Sequence, residues 1–193
     1  MTYEKFHKDI VFTIMSEHSD CFELVSLLIS LLRKLMSKSK AAKDKLAEMY
    51  LLTFAAIVET HTDKEKQIKC EGIVIPPNLD PVKAFLLKET IATMGELAAE
   101  PEHREALIAG ADVVFDVLQA ARQNFAHPKL MKTALGCLIN FSAENPGGAG
   151  HNGADLLSRE PCFYQVIYSI LDDSDSKPLM LEYVLRLINV TAS

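Results

Sequence analysis

The chain has 193 residues, a formal charge of −6, 49% hydrophobic residues and no tryptophan. That balance excludes an intrinsically disordered chain and suits one compact unit or one short repeat array. No apolar run reaches the roughly 18 to 20 residues of a membrane helix; the richest, Phe22 to Leu32, is broken by Glu23, Ser26 and Ser30 and followed by Arg33-Lys34.

Helical periodicity begins at Tyr3 to His18, where Phe6, Ile10, Val11, Ile14 and Met15 share one face. Ser19-Asp20 then supplies cap residues for a strongly apolar helix over Cys21 to Met36. Arg33, Lys34, Lys38, Lys40, Lys43 and Lys45 form a basic run around the next turn. The run lacks interleaved aromatics, so a solvated face is the plain reading, with an anionic-surface or nucleic-acid patch as the alternative. A longer helix follows over Ala41 to Thr60.

Periodicity is lost over residues 61–80, where charge, Gly72 and Pro76-Pro77 mark a long connection. Ile73 to Ile75 reads there as an apolar patch pinned against a neighbouring helix. Asp80-Pro81 is a cap followed by proline at the first helical position, opening a helix that runs to Glu100. Pro101 begins a short helix ending at Gly110, within which Glu102-His103 reads as solvent-exposed. Ala111 to Phe125 is the next helix, and His127-Pro128 leads into Lys129 to Glu144. There Leu130, Met131, Leu135, Leu138, Ile139 and Phe141 build a wide apolar face. Asn140 lies inside that run, and an amide in such a place needs a structural hydrogen bond or a recognition role.

After Glu144, NPGGAGHNGAD holds four of the eight glycines. It lacks the Lys-Ser/Thr of a phosphate-binding loop, so it reads as a flexible glycine-rich insertion over 145–153. Pro161 to Leu171 and Pro178 to Ala192 complete the helices, separated by the acidic turn DDSDSK.

Four cysteines, Cys21, Cys70, Cys137 and Cys162, are spread singly, which favours reduced, mostly buried thiols over a zinc or disulfide framework. They place the protein in the cytoplasm, with the nucleus as the alternative compartment. The N-terminus has no signal-peptide pattern. The sequons Asn140-Phe141-Ser142 and Asn189-Val190-Thr191 lie in apolar helical runs, where burial would keep out an oligosaccharide. Residues 1–96 carry 13 basic and 14 acidic side chains and 97–193 carry 7 and 12, so the second half favours basic partners over nucleic acid. No metal-ligand spacing, nucleophile elbow or kinase signature occurs, and neither an enzyme nor a cofactor nor a small-molecule substrate is expected.

Helix ends recur along the chain: LLTFAAIV at 51–58, IATMGELA at 91–98, LGCLINFS at 135–142 and VLRLINVT at 184–191. Successive offsets are 40, 44 and 49 residues, which in an all-helical chain means an α-solenoid. These segments resemble the third helix of armadillo repeats, and Glu102 to Leu118, with its Ala109-Gly110-Ala111 corner, resembles the segment before and through the preceding helix. HEAT-type helix pairs are the nearest alternative. The resemblance is good over residues 81–193 and weak over the divergent helices of 1–60, and it covers the chain as one domain. It implies an all-α, right-handed α-α superhelix of about four helical repeats.

It also implies a non-enzymatic scaffold whose concave groove, lined by third helices, takes a peptide or partner helix. Asn140 and Asn189 fall on the family's asparagine ladder, with Glu96 and Ala56 at that position in the earlier units. Glu89, Glu96 and Glu182 would give the groove a modest acidic character, with Arg186 beside them. The preceding aromatic position holds Leu52, Ala92, Gly136 and Leu185, so the indole walls of a nuclear-import receptor are missing. Two alternatives stay open. An asparagine near a helix end also bridges or caps adjacent helices. The chain also suits a structural or self-assembling segment, associating through the exposed face of its C-terminal repeat helix.

Overall fold

A computed structural model describes residues 10–11, 13–62, 80–110, 112–125, 127–143, 153–172 and 178–192. Its helices are α1 (Phe22–Met36), α2 (Lys40–His61), α3 (Pro81–Ala98), α4 (Pro101–Gly110), α5 (Val113–Gln123), α6 (Pro128–Phe141), α7 (Gly153–Arg159), α8 (Pro161–Asp172) and α9 (Pro178–Thr191). Residues 10–11 and 13–17 are also helical, and no strand occurs among the described residues. The fold is all-α. No described helix is long and apolar enough to cross a membrane.

Proline sets the helix starts. Five of the eight prolines open α3, α4, α6, α8 and α9, where the missing N–H costs nothing and the fixed φ is already helical. Asp80 accepts from the Val82 N–H at 3.0 Å, and Ser39 caps α2 by accepting from the Ala42 N–H at 3.1 Å. Hydroxyls that the core buries turn back onto their own helix, as Thr90 does to the Leu86 carbonyl and Thr93 to that of Glu89.

The helices form two rows. In the first, α1 packs on α3, α3 on α6, and α6 on α9; in the second, α2 packs on α5, and α5 on α8. Pairs α2–α3, α5–α6 and α8–α9 join the rows, and the short α4 and α7 fill the corners. One apolar cluster runs through the array from Val11 to Leu187. Interior helices are buried on several sides. Helix α3, for example, buries Leu87, Ile91 and Met94 together with Glu89 and Thr93. Helix α6, the stretch with the strongest internal pattern, touches α3, α4, α5, α7 and α9.

Three readings of the sequence need correction. LLTFAAIV belongs to α2, which packs in the second row, and α1 holds the row position that the repeat comparison gave to 51–58. Both segments carry leucine-rich apolar runs, so that signal alone does not say which of them stands in the first row. The glycine-rich insertion ends in a helix, α7. Its first residue, Gly153, sits so close to the end of α6 that a Cβ would lie 2.7 Å from the Phe141 carbonyl carbon and nearer still to its oxygen. Glycine there is a packing requirement, and composition disguises it as a loop signal. Finally, His103 is largely covered and its Nε2 lies 3.0 Å from Asp44 Oδ1, because α4 lies along α2. The Ile73 to Ile75 patch and most of the 61–80 connection and the 145–153 insertion lie outside the described residues.

Candidate functional site

The open face of the first row carries most of the residues singled out above. Arg33 on α1 reaches across to α3, with Nη2 3.1 Å from Glu89 Oε2 and Nε 3.6 Å from Glu96 Oε1. Lys88 Nζ lies 2.8 Å from the other Glu89 oxygen. The Arg33 contact to Glu89 is an ion pair without hydrogen-bond alignment, since that oxygen has no hydrogen-bond partner among the described residues. Glu89 is buried, so its two cations provide the compensation that a desolvated carboxylate requires. Lys43 Nζ, at the start of α2, lies 3.3 Å from Glu100 Oε1. Burial pushes the Glu96 carboxyl above its ordinary range; Arg33 and Lys43 pull against that shift, and Glu89 adds to it.

Beside these pairs opens a cleft of about 460 Å³, lined by Met36, Ser39, Lys40, Lys43, Glu96 and Asn140 among others. Asn140 is half-buried at its edge, one residue before the end of α6. Its Nδ2 donates to the Gly95 carbonyl at 2.8 Å. That carbonyl is one of the last four of α3, which the helix itself cannot satisfy. Arg104, 3% exposed, serves the same helix end by donating from Nη1 to the Ala98 carbonyl at 3.0 Å, and lies 3.4 Å from the Asn140 carbonyl. The asparagine therefore bridges α6 to α3. Nothing in the sequence around Arg104 signals its part in the same joint.

Gly136, one turn before Asn140, is covered by an aromatic ring. A Cβ there would lie 3.2 Å from Tyr183 Cε1 on α9, and the Lys132 ammonium lies 5.9 Å from the centre of the same ring. On α9, Glu182, Arg186 and Asn189 recur at helical spacing on an exposed face. Arg186 Nη2 lies 2.7 Å from Glu182 Oε1, an exposed pair worth only a few tenths of a kcal/mol. Each of Glu89, Glu96 and Glu182 thus faces at least one cation, and the face is polar and mixed in charge rather than plainly acidic.

The basic run is divided by the fold. Arg33 turns to the carboxylates of α3 and Lys43 to Glu100 just beyond its end, while Lys34, Lys38, Lys40 and Lys45 lie on the exposed surface. A second cleft, of about 520 Å³, separates α2 from α4 and is lined by Asp44, Glu48, Leu52, His103 and Ala106 among others. No group of three or more His, Cys, Asp and Glu side chains placed to hold a metal occurs among the described residues. Cys137 and Cys162 are buried and Cys21 is exposed, while Cys70 lies outside the described residues. Of the two sequons, Asn140 is half-buried and Asn189 exposed, so burial argues against a glycan only at Asn140. No protein-family model matches this chain, and no curated protein matches it.

Proposed function

We propose that the chain is a non-enzymatic protein-interaction scaffold, an armadillo-like solenoid whose first-row helices α1, α3, α6 and α9 form a concave, right-handed superhelical groove for an extended peptide or a partner helix. The observation that carries this reading is the polar cleft where that row meets the start of α2. Beside Asn140 of α6 it places the carboxylates of Glu96 on α3 and Glu100 just beyond it, and the lysines Lys40 and Lys43 of α2, around one open space. Such a surface suits recognition of a peptide backbone flanked by charged side chains, with mixed pairs setting register more than raw affinity. The scaffold works in the cytoplasm or nucleus with its thiols reduced, and needs no cofactor.

Panning a random peptide display library against the whole chain tests the proposal. Selected peptides should bind in fluorescence anisotropy and lose at least tenfold in affinity to a Lys40→Glu/Asn189→Ala variant of unchanged helicity. A library that yields no binder, or peptides that bind the variant as well as the parent, would refute the groove.

A further inference from the structure

The cleft of about 520 Å³ between α2 and α4 is lined quite differently from the one beside Asn140. Its apolar part comes from both helices: Ala47 and Leu51 are buried, Met49 is half-buried, and Leu52, Ala106 and Ala109 are exposed. Leu52 is 64% exposed, and the two alanines of α4 leave open the space that longer side chains would fill. Its charge has one sign. Asp44 and Glu48, one turn apart on α2, both line it, and among the described residues no lysine or arginine does. The cleft beside Asn140, by contrast, sets Lys40 and Lys43 against Glu96 and Glu100. Cations close by in the sequence serve other places: Lys43 reaches Glu100, Arg104 donates to the Ala98 carbonyl, and Lys45, though exposed, stays outside the lining. His103 Nε2 lies 3.0 Å from Asp44, but a neutral imidazole donating its proton leaves the carboxylate charge in place. The Asp44 side chain is 45% exposed and Glu48 is exposed, so both carboxylates can be reached from solution.

We propose that this cleft is a second docking site, separate from the groove, and that its occupant is a basic amphipathic helix of a partner protein. The volume lies within the range of about 300–1,000 Å³ in which bound groups are largely enclosed, and the mostly apolar lining with a few convergent polar groups is that of a recognition site. One large apolar side chain of the partner fills the space over Ala106 and Ala109 and covers Leu52. Charge sets what surrounds that anchor. Four residues of helix advance about 6 Å, so cations one and two turns from the anchor fall opposite Glu48 and Asp44, which carry the same spacing on α2. An acidic helix would meet two carboxylates with no cation in the lining to offset them, and is rejected.

Panning a random peptide display library against the whole chain, with counter-selection on an Ala106→Leu chain whose cleft is filled, isolates peptides that need this site. Ala106 and Glu48 are both exposed, so their variants should keep the parent's circular dichroism. The surviving peptides should combine lysine or arginine with a large apolar residue, gain helicity on binding, and shift the ε-methyl NMR signal of Met49. Glu48→Lys should weaken them by about tenfold or more, as reversal of an interface charge does. Asn189→Ala, which lies on α9 away from the cleft, should leave them unchanged. An empty selection overturns the proposal, as do survivors that are acidic or stay unfolded when bound, and so does equal affinity for Glu48→Lys. Binding lost in Asn189→Ala would move the peptides to the groove and overturn it too. Hexylamine is the remaining control: if it shifts Met49 as far as the peptides do, the cleft takes small cations and the docking helix is refuted.

Discussion

Asn140 is the residue on which the ligand and structural readings part, and its replacement can be worked out from the geometry. Asn140→Ala removes the donor to the Gly95 carbonyl and leaves that acceptor at the end of α3 without its partner from α6. A lost hydrogen bond costs about 0.5–1.5 kcal/mol net, and a stranded buried acceptor about 1–3 kcal/mol. The adjacent cleft admits water to part of this site, which places the loss near the low end, about 1–2 kcal/mol. In a chain of this length, each kcal/mol moves Tm by about 2–4 °C, so the melt should fall by about 2–8 °C with no partner present. Asn140→Asp should cost more at pH 7, because a carboxylate only accepts and would face a carbonyl oxygen. Part of that extra loss should return on acidification, since a protonated carboxyl donates again. Urea melts of the three proteins at pH 7 and pH 4.5 provide the measurement. If both variants match the parent within about 0.3 kcal/mol, the bridge contributes nothing and the reasoning fails.

Three further outcomes follow from the packing. Gly153→Ala, which helix propensity alone would make stabilising by up to about 1 kcal/mol, should instead cost about 1–3 kcal/mol in urea melts, because the Cβ meets the backbone of Phe141. A stabilised variant would show that α7 can shift. His61 at the end of α2 stacks edge-on with Phe22, and burial, aided by Lys83, holds its pKa below the ordinary value. The folded state therefore binds that proton less readily than the unfolded chain, so stability present above about pH 6.5 is lost as pH falls through the ordinary histidine range. His61→Phe should flatten that slope between pH 7 and pH 5, and an unchanged slope would exclude His61 as its source. Burial raises the Cys137 thiol far above the ordinary range, and Cys162 is also buried. Iodoacetamide followed by peptide mapping of the native protein should therefore label Cys21 well before either; equal labelling of all three would contradict the packing.

The helices themselves were largely written in the sequence, because the signals that start them act over a few residues. Proline at 81, 101, 128, 161 and 178, the cap at Asp80 and the apolar face of 129–144 need only local sterics and periodicity to be read. Of the long-range order the sequence offered only likenesses between segments, and the pair LGCLINFS and VLRLINVT falls on helices α6 and α9, which pack against each other. What tertiary structure alone decided is which helix stands in which row, and what each polar side chain meets. Helices α1 and α2 both carry apolar runs in the sequence, and only packing puts α1 beside α3 and α2 beside α5. The same holds for the site. Arg33 was one lysine-rich run's first member until α3 brought Glu89 and Glu96 to it, and Asn140 had an amide without an address until α6 lay against the end of α3. Pattern fixes which face of a helix is apolar, but the partner of a charge or an amide lies tens of residues away and is chosen by how the rows stack.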